Sequence, residues 1–200
     1  MASVDEDGML VDEKITGKRY KGIEHGDLQT IRAIVVHQTD SSSEKSTFAA
    51  YAGGAQNGAH FLIAKDGTIY QTASMKKRCY HVGSLIWSRC LAVSGKNCAD
   101  PAYAKIAAMS WVAQINYIDT NERTKTYPAR YPVNSDSVGI ELVGLAVDKN
   151  NFEAVTPAQN ASLKWLIGEL SIQFKLGASD IFRHPDVSYK NPGEAKSAQW

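Results

Sequence analysis

Two kinds of apolar pattern alternate along this chain. Residues 31–37, Ala59 to Ala64 and Val138 to Val143 are short, nearly unbroken apolar runs of the length expected for buried strands. A different spacing follows: Leu163, Leu166, Ile167, Leu170 and Phe174 fall at i, i+3, i+4, i+7 and i+11, one face of a helix. Thr156-Pro157-Ala158-Gln159 starts that helix with an N-cap, a first-turn proline and a capping box, and Gly177 ends it. Ser41 to Gly54 predicts a shorter helix, with capping residues first, an apolar set at Phe48, Ala49 and Tyr51, and a stop at Gly53-Gly54. Between the Ala59–Ala64 run and Thr68-Ile69-Tyr70-Gln71, the Asp66-Gly67 pair supplies a hairpin turn. Ile181-Phe182 is a last short strand.

Strands that alternate with helices predict an α/β fold, and the antiparallel hairpin makes its central β-sheet mixed. Residues 1–30 read as an N-terminal arm, the first twenty of them polar with little to bury, and 31–200 as one domain. Residues of about 84–135 read as an insertion between core strands that rims a site. It holds Cys90, Cys98, a Gly95-Lys96-Asn97 turn, an apolar helical stretch from roughly 102 to 118, and the pairs Tyr127-Pro128 and Tyr131-Pro132.

Composition removes several functions. A net charge of +1 sets up no global field to draw in nucleic acid or an anionic membrane. No apolar stretch approaches the ~20 residues of a membrane span. Met1 to Lys14 is acidic and has no apolar h-region, so the expectation is no Sec signal peptide. The protein is then cytoplasmic as made, with a dedicated secretion system or phage lysis as its route to the periplasm. Three Cys make no disulfide framework. Two arrangements stay open: a Cys90–Cys98 loop closed in an oxidising space with Cys79 left over, or three free thiols.

The chemistry gathers at strand ends. His37 closes the Ile34-Val35-Val36 run, and His184 closes Ile181-Phe182-Arg183 about 150 residues later. Glu141 lies inside the third apolar run, where a carboxylate is costly unless paired or functional. A lone His at a strand end is more often structural than a ligand. Two imidazoles and a carboxylate delivered to one sheet edge, however, are the makings of a zinc hydrolase. His60 alternates with apolar residues in the hairpin and reads as a hydrogen-bonded wall residue rather than a ligand. His81, in Tyr80-His81-Val82-Gly83, reads as a loop residue able to touch substrate. His25 receives no role.

Five segments in order carry a resemblance. They are Ile34 to Thr39, Ala59 to Ile63 with Asp66 to Gln71, Tyr80 to Gly83, Val138 to Leu142, and His184 to Glu194. Together they resemble the zinc-dependent N-acetylmuramoyl-L-alanine amidases, the superfamily of AmpD-type amidases, phage lysozyme-amidases and peptidoglycan recognition proteins. The resemblance runs from about residue 30 to 195. It implies cleavage of the amide between N-acetylmuramic acid and L-alanine by a zinc-activated water, on peptidoglycan or muropeptides. It implies Zn2+ on His37 and His184, Glu141 assisting the attacking water, Lys190 facing the oxyanion, and His81 and His60 at the substrate groove.

One departure stands out. The family usually places Cys or Asp just before Pro-Gly, whereas this chain reads Lys190-Asn191-Pro192-Gly193-Glu194. Glu194, ten residues after His184, is the favoured third ligand, and Asp186 the second choice. Without either, the competing function is a non-catalytic peptidoglycan-binding protein of the same fold. An effector role would add an immunity or inhibitor protein that plugs the groove.

Overall fold

The computed structural model describes residues 2–200 apart from the side chains of Lys105 and Ala107. Strands β1 (Ser3–Val4), β2 (Leu10–Val11), β3 (Ile15–Gly17) and β4 (Glu24–Asp27) precede the core strand β5 (Ala33–Gln38). Helix α1 (Glu44–Ala52) leads into β6 (Phe61–Ile63), β7 (Ile69–Gln71) and β8 (Lys77–Cys79). A helical excursion follows, made of α2 (Arg89–Ser94), a 3-10 segment (Pro101–Ala108) and α3 (Trp111–Arg123). The chain returns through β9 (Ser137–Leu142), β10 (Ala146–Asp148), β11 (Asn151–Phe152), α4 (Pro157–Phe174) and β12 (Ile181–Arg183).

The main sheet has six strands in the order β12-β5-β9-β6-β7-β3. Neighbours from β12 to β6 run parallel, β6 and β7 form the antiparallel hairpin, and β3 lies parallel to β7. The sheet is therefore mixed, with helices against it, as the patterns predict. At the hairpin turn Gly67 has φ +90°, and Asp66 Oδ1 accepts from Thr68 N–H at 2.9 Å. Only a glycine takes that backbone angle without strain.

Period-two alternation decides what each face of the sheet does. Ile34 and Val36 of β5, with Val138, Ile140 and Leu142 of β9, pack on Leu163, Leu166, Ile167 and Leu170 of α4 in the main core. Each such side chain contributes roughly 1.5–3 kcal/mol by leaving water. The alternate set, Ala33 and Val35, enters a second cluster with Val82, Leu85, Phe182 and Val187. His37 continues that alternate set to the C-terminal end of β5, in register with Glu141 on β9. One face thus holds the fold together and the other carries the polar groups.

Three expectations change. The first thirty residues are not a loose polar arm: Leu10, Ile23 and Leu28 are buried, and β3 and β4 pair with β7 and β8. The clamp is the buried Gln71 amide, which accepts from Leu10 N–H and donates to Gly8 O and Ala73 O. Helix α1 buries Thr47 and Tyr51, while Ala49 is exposed. The helical stretch expected over 102–118 is broken, because Met109 and Ser110 are extended and divide a 3-10 segment from α3. Cys90 and Cys98 form a disulfide within the excursion, and Cys79 is a buried free thiol.

Candidate metal centre and catalytic groove

His37 arrives from the end of β5, and His184 from the 3-10 turn that follows β12, its parallel neighbour. Their Nδ1 atoms lie 2.8 Å apart. Glu194 enters from the C-terminal loop, with Oε1 3.0 Å from His184 Nδ1 and 3.5 Å from His37 Nδ1. All three residues are buried. Ligand atoms around a tetrahedral ion with bonds of ~2.0–2.2 Å stand about 3.3–3.6 Å apart, so this triangle is close to the size one ion requires. Two imidazoles and a carboxylate are also a donor set that suits zinc and leaves a position open for a reactant.

Electrostatics agree with that use. Burial, reinforced by the neighbouring His184, lowers His37 to about 4, so its imidazole is neutral at pH 7 and one ring nitrogen carries a lone pair. Burial alone would raise Glu194, but the adjacent His184 and His37 imidazoles outweigh it and bring the carboxyl to about 2. The loop that presents Glu194 is stapled to the sheet. Gln38, the residue after His37, accepts from Ala195 N–H at 3.2 Å and donates to Glu153 O at 2.9 Å. The Arg183 guanidinium holds Ala195 O and Ala198 O at 3.0 and 2.7 Å.

The neighbouring candidates separate clearly. Asp186 is exposed and accepts from Arg183 N–H, and Asn191 lines the groove but commits its amide to Gly193 N–H and Asp148 O. Lys190 is exposed and lines the groove beside Glu141. Glu141 lies in the same groove, and its Oε2 is enclosed without a hydrogen-bond partner. Burial first, and then the charge of Glu194, push its carboxyl up to about 8. His60 reaches no open space: it is fully enclosed, with Nδ1 accepting from Gly139 N–H and Nε2 against Lys77 O. It is a wall residue rather than a substrate contact. His81 stands behind His37, with its Nδ1 3.0 Å from His37 Nε2.

The groove encloses about 550 Å³ and is walled by Thr39, Thr47, Tyr51, Asn57 and Tyr80 besides the residues above. Sequence reading passed over Gln38, Asn134 and Tyr80. An amide at the end of a buried strand was a readable signal for Gln38. Tyr80 had none, because its ring is set by a face-to-face stack on His25, 3.8 Å between centroids. A larger cleft of about 930 Å³ runs between the helical excursion and the sheet edge, lined by Trp87, Leu91, Ile115, Ile118 and Phe182. Its lining is mainly apolar, and the triangle lies outside it, so we place the chemistry in the smaller groove.

Fold and site together define an α/β protein with a candidate metal centre at the C-terminal edge of its parallel strands. The chain belongs to the N-acetylmuramoyl-L-alanine amidase family, whose model (Amidase_2) matches residues 27–196. Its fold is similar to that of a selenomethionine derivative of AmpD, at 20% identity and TM-score 0.56, covering 90% of this chain and 88% of that one. AmpDh3 from Pseudomonas aeruginosa gives 18% identity and TM-score 0.52, covering 94% of this chain and 58% of that one. The catalytic domain of XlyA gives 17% identity and TM-score 0.51, covering 87% and 86%. Comparison with curated protein sequences gives no match. No helix among the described residues is long and apolar enough to cross a membrane.

Proposed function

We propose that the protein hydrolyses the amide between the lactyl group of N-acetylmuramic acid and the L-alanine of the peptidoglycan stem, and that it uses zinc to do so. The observation that carries this reading is the triangle of His37 Nδ1, His184 Nδ1 and Glu194 Oε1 at 2.8–3.5 Å, in one groove with the enclosed carboxyl of Glu141. Those three atoms would hold the ion. Zinc bound there would supply Lewis acidity toward the amide carbonyl and lower the pKa of a water beside it.

The chain's own groups do the rest. Glu141 takes a proton from the attacking water as the new carbon–oxygen bond forms. It then delivers that proton to the alanine nitrogen as the carbon–nitrogen bond breaks. A carboxyl raised by burial returns a proton readily, and a cation held by the triangle in the same groove would bring it back toward the ionised form needed first. Lys190 opposes the negative charge that develops on the carbonyl oxygen. Gln38 and Arg183 keep Glu194 in place through its loop. Non-catalytic binders of this fold typically lack a third ligand, and the approach of Glu194 Oε1 to His184 Nδ1 and His37 Nδ1 favours the enzyme.

The Cys90–Cys98 disulfide supports work on the wall outside the cytosol, since such bridges persist in oxidising spaces. Cleavage of small muropeptides but not of intact sacculi would count against that setting. The metal is tested by elemental analysis of the purified wild type and Glu194→Ala. The expected result is about one zinc per wild-type chain and a large loss in the variant. Undiminished zinc in Glu194→Ala would remove Glu194 from the ligand set.

A further inference from the structure

His81 is built into the wall of the groove rather than its floor. It is only 9% exposed, and Asn134 Oδ1 pins its loop by accepting from His81 N–H and Val82 N–H at 3.0 and 2.7 Å. The imidazole sits against Gly139 of β9, where any Cβ would come within 2.8 Å of His81 Cγ and 2.9 Å of its Nδ1. A glycine in the middle of a core strand weakens it, and here it leaves the space this ring fills.

The hydrogen bonds around that ring have one consistent assignment. Ser137 Oγ donates to Val133 O at 2.8 Å, which leaves its oxygen as an acceptor. His81 Nε2 lies 3.3 Å from that oxygen and 3.4 Å from Ser137 O. Both neighbours accept, so Nε2 carries the proton of a neutral His81 and Nδ1 carries its lone pair. Facing that lone pair at 3.0 Å is His37 Nε2, which must then be protonated. A neutral His37 protonated at Nε2 presents its lone pair at Nδ1, the atom that meets His184 and Glu194.

We infer that His81 is a positioning residue that acts through His37. It fixes the Nε2–H tautomer and the orientation of the His37 ring, so that Nδ1 is presented as a ligand. This rests on the metal-centre reading above, and it changes what His81 does: the residue orients a ligand and does not bind substrate. Partners in this position commonly alter metal affinity about 10–100-fold when removed.

The test compares wild type with His81→Leu and His81→Asn. Leu removes the acceptor and keeps bulk, while the Asn amide oxygen stands close to the place of Nδ1. Two readouts are taken: imidazole nitrogen NMR of the metal-free protein, and zinc Kd by chelator competition, with circular dichroism checking the fold. In the wild type, His37 should be the Nε2–H tautomer. His81→Leu should mix the tautomers and weaken zinc about 10–100-fold, and His81→Asn should restore both. A wild-type His37 protonated on Nδ1 overturns the inference, and it does so even if His81→Leu fails to fold. So does a folded His81→Leu with unchanged tautomer and zinc Kd. Absence of zinc binding in the wild type would sink the functional reading instead, and the tautomer would still decide this one.

Discussion

Glu141 illustrates how one residue carries chemistry. On β9 it keeps the same face as Ser137 and Gly139, away from the α4 core, and its Oε2 has no partner among the described residues. A carboxylate oxygen enclosed without a partner is costly, so its retention calls for a use. Glu141→Gln preserves shape and removes the proton carrier. The account predicts a fall in kcat of about 10²–10⁴-fold, with zinc content and melting temperature nearly unchanged. Steady-state kinetics on a soluble muropeptide would check it, and a variant retaining full kcat would contradict it. At this scale much of the site was legible. His37 and His184 each close an apolar run, and Glu141 breaks one. Glu194 was legible only as a choice against Asp186, because orientation around the loop depends on Arg183 and on Gln38, which is far away in sequence. His81 was visible, but its direction was not, since that depends on Gly139 and Ser137 from another strand.

At the scale of elements, helix α4 and the parallel strands hold the ligands at fixed separations. Leu166 sits at the centre of the α4 face against the sheet. Leu166→Ala should destabilise the protein by about 2–5 kcal/mol, read as a lower urea midpoint; a loss under 1 kcal/mol would mean that the core is not where we place it. That face could be read from its 3.6 period, because α4 is long and packs on one side only. The N-terminal strands could not, since β1 to β4 are two to four residues long, and β3 and β4 take their partners, β7 and β8, from far along the chain. Met109 and Ser110 likewise divide an apolar stretch whose composition favours one helix.

The arm makes a prediction of its own. Burial tends to raise Glu24, but hydrogen bonds from the Arg19 guanidinium and Ser74 N–H outweigh it and hold its carboxyl below the ordinary 4.5. A carboxyl depressed in the folded state adds stability that is complete above its unfolded pKa and is lost as pH falls through the folded value. The melting temperature should therefore drop as pH falls below about 4.5, and Glu24→Gln should flatten that part of the curve. Thermal melts from pH 6 to pH 2.5, roughly the span of carboxyl titration, would test this; parallel curves for both proteins would refute it.

For the whole molecule, one sheet divides the work between its faces. The α4 face closes the core, and the opposite face collects His37, Glu141 and His81 under a groove that stays open. The helical excursion with its Cys90–Cys98 bridge lines the larger apolar cleft rather than that groove, and its Trp111 packs edge-on against Tyr189, next to Lys190. Family membership and fold agree with this division of labour. Bond specificity is the claim on which the account turns. The most direct measurement is mass spectrometry of the products released from purified sacculi by the zinc-loaded protein. The account predicts soluble stem peptides with free L-alanine amino termini, absent after chelation and with Glu141→Gln. Sacculi that bind the zinc-loaded protein but release no such peptides would contradict it.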